Sequence, residues 1–140
     1  MLETLSRPPG GPVNQIPEGP PTLPPGAEAT RTESGLEFVE IEAGGEPHGH
    51  LDSRVQVHYR CWLTEGSLIE DTHADGMPAE VVLGQGDATA GLEEGLLGLG
   101  PGARRRLIVP SDLAYGGRGS GTRVPPYATL IYDVEVLAVS

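Results

Sequence analysis

From Arg54 to Leu63 apolar and polar positions alternate without a break. Val55, Val57, Tyr59, Cys61 and Leu63 fall on one side, and Gln56, His58, Arg60 and Trp62 on the other. A period of two sends successive side chains to opposite faces, so the segment predicts a strand with one buried face. Thr129–Val139 repeats the pattern, with Leu130, Tyr132, Val134 and Val136 opposing Asp133 and Glu135. Gly35–Ile41, with Leu36, Phe38 and Ile41 set among acids, predicts a third strand. Shorter ones are predicted over Leu68–Thr72, Ala79–Leu83 and Arg106–Val109. Turn-forming residues separate them at Thr64-Glu65-Gly66, His73–Pro78 and Gly84–Asp87. Only Gly91–Leu99 has helical spacing. Leu92, Leu96 and Leu99 share a face, Glu93 and Glu94 suit its positive N-terminal end, and Gly100-Pro101-Gly102 ends it. Two turns of helix persist only when packed on a sheet. The pattern therefore predicts an α+β fold, an antiparallel sheet curled over one short helix, with no βαβ unit.

Composition divides the chain in two. Eight of the 14 prolines lie between Pro8 and Pro25. That stretch has too little apolar periodicity to bury, so residues 1–33 read as a disordered or polyproline-like arm and 34–140 as the domain. A proline-rich arm can also be a ligand for a groove-type domain; plain linker is the simpler reading. The net charge of −11 and a pI near 4.6 argue against a nucleic-acid surface. All basic residues are arginines, and Arg104-Arg105-Arg106 reads as a solvated, ion-paired strand face. The single cysteine, Cys61, excludes an internal disulfide, and its place between Tyr59 and Leu63 favours a buried apolar thiol. No run approaches the ~18 apolar residues of a membrane span, and no basic segment followed by an apolar one opens the chain. Cytoplasmic is the default location, or periplasmic or secreted if a signal peptide has been removed. His48 and His50 form a His-x-His without a further ligand nearby, so no metal or other cofactor is expected.

The chemistry concentrates near the end. Leu113-Ala114-Tyr115-Gly116 puts a phenol on a turn, and Val124-Pro125-Pro126-Tyr127-Ala128-Thr129-Leu130 follows as a two-proline loop leading into the last strand. Val55-Gln56-Val57-His58-Tyr59, Gly66–Thr72 and Gly91-Leu92-Glu93-Glu94-Gly95 precede them in order. These five segments together resemble the FKBP-type peptidyl-prolyl cis-trans isomerases over about 100 residues, from Gly35 to the end. The resemblance implies a five- to six-stranded antiparallel sheet around one short helix, prolyl isomerase activity without a covalent intermediate, and proline-containing peptides or proteins as partners. Carried over by position, Tyr115, Glu70 and Tyr59 are the catalytic candidates, and Ile69, Ala79, Ala88, Thr89, Leu92, Val124 and Tyr132 line the cleft. Tyr115 would donate to the substrate carbonyl, with the Thr89 N–H as second donor, Leu92 as floor, Tyr59 and Tyr132 as walls and Val124 as lid.

The departures from the family pattern have a direction. Leu92 stands where tryptophan is usual, Ile69 and Ala79 where aromatic residues are usual, Tyr132 for phenylalanine and Glu70 for aspartate, with Asp71 beside it. The only tryptophan, Trp62, belongs to the outer strand face. A looser, less aromatic cleft implies reduced activity and weak affinity for macrolide immunosuppressants. The alternative is a weakly active or inactive binding module that keeps the fold to hold a protein partner. A folding chaperone with a domain inserted before Pro125 is disfavoured by the short loop Gly116–Arg123.

Overall fold

The computed structural model describes residues 19–23 and 25–140. Its strands are β1 (Thr30–Arg31), β2 (Glu37–Glu42), β3 (Arg54–Leu63), β4 (Leu68–Asp71), β5 (Ala79–Val82), β6 (Arg104–Val109) and β7 (Leu130–Val139). Two helices, α1 (Thr72–Asp75) and α2 (Ala90–Leu96), complete the regular elements, with 3-10 turns at Ser111–Leu113 and Gly116–Arg118. All pairings are antiparallel, in the order β1-β2-β6-β7-β3-β4, and β5 continues the β4 edge of β3. Among the described residues no helix is long and apolar enough to cross a membrane.

Strand register explains the core. Val57 lies opposite Val136, Tyr59 opposite Val134, Cys61 opposite Tyr132 and Leu63 opposite Leu130, so the apolar sides of the two longest strands coincide. Leu107 and Val109 extend this inner face through β6. Helix α2 lies on it with Leu92 and Leu96 buried, and Leu99 reaches the same core from just beyond the helix end. The helix stops at Leu96, three residues earlier than predicted, because Gly98 turns the chain at φ 81°. The close approach of α2 depends on two glycines. A Cβ on Gly91 would stand 2.3 Å from a Val109 methyl, and one on Gly95 would stand 2.5 Å from a Leu107 methyl. Helix α1 replaces part of the turn expected after β4. Its four residues carry no periodicity, and Asp71 starts it by accepting the His73 N–H at 2.9 Å.

Part of the segment read as an arm is attached to the sheet. β1 pairs with β2, the Gly19 N–H donates to Gly66 O at 3.0 Å, and Arg106 Nη2 donates to Pro21 O at 2.8 Å. Residues 1–18 and 24 of that arm lie outside the described residues. The arginine run is ion-paired as its charge suggests, but it is not a single solvated face. Arg106 is buried, bonded to Asp133 at 2.6 and 2.9 Å, while Arg105 sits with its guanidinium 4.0 Å from the Phe38 ring centroid and bonds Glu40. A strand sends consecutive residues to opposite faces, so Arg105 lies across from buried Val134 on the inner side while Arg106 pairs with Asp133 on the outer.

Candidate active site

Strands β3 and β7 bring Tyr59 and Tyr132 together, their ring centroids 5.6 Å apart and tilted by 58°. The Tyr132 hydroxyl lies 3.2 Å from Thr89 Oγ1, and that oxygen also caps α2 by accepting the Leu92 N–H at 3.3 Å. Thr89 thus ties a cleft wall to the helix that carries Leu92. Its own N–H has no acceptor among the described backbone and side-chain groups. Ile69, Leu92, Val124 and Tyr132 are buried in one apolar cluster, with Tyr59, Ala79 and Ala88 half-buried against it.

A bulge turns Glu70, and not Asp71, toward Tyr59. Cys61 pairs with Glu70 but Trp62 pairs with Leu68, leaving Ile69 as an extra residue in β4. The bulge lets consecutive residues serve one side, Ile69 in the core and Glu70 over it. The Tyr59 hydroxyl lies 3.5 Å from Glu70 Oε1, a long contact at the outer limit of hydrogen bonding. Asp71 points elsewhere, to Arg60 Nε at 3.1 Å and the N-terminus of α1. Burial alone would raise the Asp71 carboxyl, but the Arg60 guanidinium and the His73 and Ala74 amides outweigh it and hold the pKa below its ordinary value.

Tyr115 begins the second 3-10 turn and is 37% exposed, near Tyr59 and Tyr132. The loop after it is fastened at both ends. The Gly119 N–H bonds Tyr115 O, Ser120 and Val124 exchange backbone hydrogen bonds, and the Tyr127 N–H bonds Gly116 O. Gly119 has φ 68° and lies so close to Val124 O that a Cβ would stand 2.3 Å away. Val124 is thereby pressed into the apolar cluster, 3% exposed, while Pro125 and Pro126 remain outside. Beside Glu70, a recess of about 270 Å³ opens among Leu68, Ile69, Asp75 and Arg123.

Electrostatics keep the phenols neutral. Burial, then the nearby Glu70 carboxylate, raises the pKa of Tyr115 and Tyr59; burial, then proximity to Cys61, raises that of Tyr132. Burial and Glu70 push the Cys61 thiol up to about 12, against the opposing influence of Tyr132 and Arg123. Every hydroxyl here remains a hydrogen-bond donor across the physiological range, and no thiolate nucleophile forms. All ten residues singled out from the sequence therefore converge on one side of the sheet. Sequence reasoning missed the role of Glu93. It is a buried clamp accepting the Gly84 N–H at 2.8 Å and the Ala88 N–H at 3.0 Å. Its partners are backbone amides, which leave no trace in residue types.

An antiparallel sheet curls over one short helix, and Tyr59, Tyr115 and Tyr132 gather beside the buried apolar cluster between them. Residues 46–137 match the family described as "FKBP-type peptidyl-prolyl cis-trans isomerase". The chain is 34% identical over 105 residues to an FK506-binding protein of Neisseria meningitidis serogroup B, covering 75% of this chain and 96% of that protein. It is 42% identical over 91 residues to peptidyl-prolyl cis-trans isomerase FKBP15-1 of Arabidopsis thaliana, covering 65% of this chain and 60% of that protein's length. Among solved structures, the N-terminal domain of FKBP42 from Arabidopsis thaliana superposes with a TM-score of 0.81 at 31% identity, covering 89% of this chain and 99% of that one. The chain belongs to the FKBP-type peptidyl-prolyl cis-trans isomerase family and carries that family's fold.

Proposed function

We propose that this chain catalyses cis–trans isomerisation of Xaa-Pro bonds in peptides and unfolded proteins, at a rate below that of a cleft walled by more aromatic residues. The barrier is about 18–20 kcal/mol because resonance stiffens the C–N bond. Rotation twists the imide out of resonance and leaves its carbonyl less polar, so an apolar hollow favours the twisted form over the planar one. Ile69, Leu92, Val124 and Tyr132 are the apolar surface available to receive it. Tyr115, held protonated, supplies a donor for the carbonyl as it turns. No bond is broken and no proton need move. A preference of about 4–6 kcal/mol for the twisted form gives roughly a thousand- to ten-thousandfold acceleration.

The observation that carries this reading is the Tyr115 phenol, held neutral by burial and the Glu70 carboxylate, close to Tyr59 and Tyr132 of the buried apolar cluster. Leu92, Ile69 and Ala79 offer less surface than aromatic rings, which supports a lower rate. The same deficit supports weak binding of macrolides such as the FK506 for which the Neisseria relative is named. The test is a protease-coupled assay on a Xaa-Pro peptide with Tyr115→Phe alongside. Catalysis that falls about tenfold on losing the phenol supports the reading. A wild-type rate equal to the uncatalysed one overturns it and leaves a peptide-binding module.

A further inference from the structure

The outer face of the sheet bears a second occupied surface, independent of the cleft and of the isomerase reading. Trp62 is 1% exposed and Val39 4%, yet neither belongs to the apolar core on the inner face. Trp62 points away from Cys61 and Leu63, opposite Ile131, which in turn lies opposite Ile108. The result is an apolar row across β3, β7 and β6. A large ring on an outer face is dry only if something covers it.

Two hydrogen bonds identify the cover. Gly19 N–H is anchored on Gly66 O, at the turn four residues past Trp62. Pro21 O is anchored on Arg106, whose register partner is Val39. The anchors lie on either side of the buried patch. β7 lies between the two anchor strands, so they stand about 9–10 Å apart; the roughly 7 Å of extended chain from Gly19 to Pro21 is completed by the reach of the Arg106 side chain. Pro21 also walls a recess of about 130 Å³ with His58, Arg60, Asp133 and Glu135. An extended proline segment makes no internal hydrogen bonds and seeks aromatic surface plus donors for its carbonyls. Trp62 and Arg106 offer one of each.

We propose that the outer face of β3, β7 and β6 is a docking groove for an extended proline-rich segment, and that its occupant is this chain's own Gly19–Leu23 stretch. The test begins with the full chain. Trp62 is the only tryptophan, so its emission and its quenching by acrylamide read the cover directly. Arg106→Lys keeps a positive charge opposite Asp133 but lacks the second N–H for Pro21 O. It should raise Trp62 quenching and Gly19 amide exchange together, several-fold, without changing turnover. If Gly19 exchanges freely while Trp62 stays inaccessible, the segment is not the cover and the proposal fails. A chain begun at Pro25 gives the second arm. A peptide of residues 14–26 should bind it, restore the protection of Trp62, and leave the full chain unaffected. Equal binding to both chains, or binding to a folded shortened chain that does not protect Trp62, overturns the groove. If the shortened chain does not fold, the paired readout on the full chain decides.

Discussion

Replacing Glu93 by glutamine should loosen the rim of the cleft while preserving shape. The carboxylate divides its two oxygens between two amides, Oε1 to Gly84 at 2.8 Å and Oε2 to Ala88 at 3.0 Å, and it is only 8% exposed. Glutamine has one oxygen, so its NH2 must face an N–H. One charge-assisted bond is then lost, a buried donor is orphaned, and the surviving bond is weaker. A hydrogen bond to a charged group is worth about 1.5–3 kcal/mol, so a loss of about 2–4 kcal/mol follows. In a domain of this size each kcal/mol moves the melting temperature by about 4–8 °C, which predicts a fall of at least about 8 °C by circular dichroism. The damage should also be local. Amide exchange should accelerate first at Gly84 and Ala88, and kcat/KM should fall several-fold because Ala88 and Thr89 stand at the end of the loosened loop. Glu94→Gln is the control, since among the described residues the Glu94 carboxylate bonds an exposed Ser34 hydroxyl and its loss should change stability by less than about 1 kcal/mol. A melting point within about 2 °C of wild type, or exchange that rises evenly along the chain, refutes the clamp.

Tyr115→Phe should lower kcat/KM about tenfold in a coupled peptide assay and leave the melting temperature nearly unchanged, because the residue is partly exposed and the ring is retained. Gly95→Ala should destabilise by about 1–3 kcal/mol in urea titrations, since its methyl would sit 2.5 and 2.6 Å from the two Leu107 methyl carbons. Cys61, with its thiol pushed up to about 12 and no exposed surface, should resist thiol reagents at pH 8 until the chain is unfolded. Asp71 has a folded pKa below its ordinary 3.8. Its stabilising contribution is therefore present above that pH and is lost as pH falls through the folded value, so Asp71→Asn should flatten stability against pH below about pH 4.

The long strands and the helix face could be read from the sequence because burial imposes a period on them. β3 and β7 alternate strictly, and their register puts both apolar sets on one side. Leu92, Leu96 and Leu99 follow from helical spacing in the same way. Other features depend on contacts between distant segments and have no period to display. The Ile69 bulge breaks the alternation it would be read from, so pattern alone sends Ile69 and Glu70 to opposite faces. Gly91 and Gly95 look like poor helix residues until β6 is seen to press against them. The site residues themselves came from the resemblance and not from periodicity, which tells inside from outside but not which inner residues border a hollow.

The proline-rich stretch shows the same limit from the other direction. Its composition argues that it cannot build a core of its own, and that is compatible with its described residues lying on the sheet. What composition cannot state is that the partner surface is already present in the domain. The clue was the step from Cys61 to Trp62. Adjacent residues on a strand point to opposite faces, so a buried cysteine on the inner side puts the large indole on the outer side. A tryptophan committed to that face of an otherwise polar pattern either meets water or demands a cover. Here it is 1% exposed, and the backbone bonds at Gly19 and Pro21 run past it. One strand thus faces two surfaces: Tyr59 and Cys61 lie on the side of the apolar cluster, and Trp62 on the side where Gly19 and Pro21 are bonded.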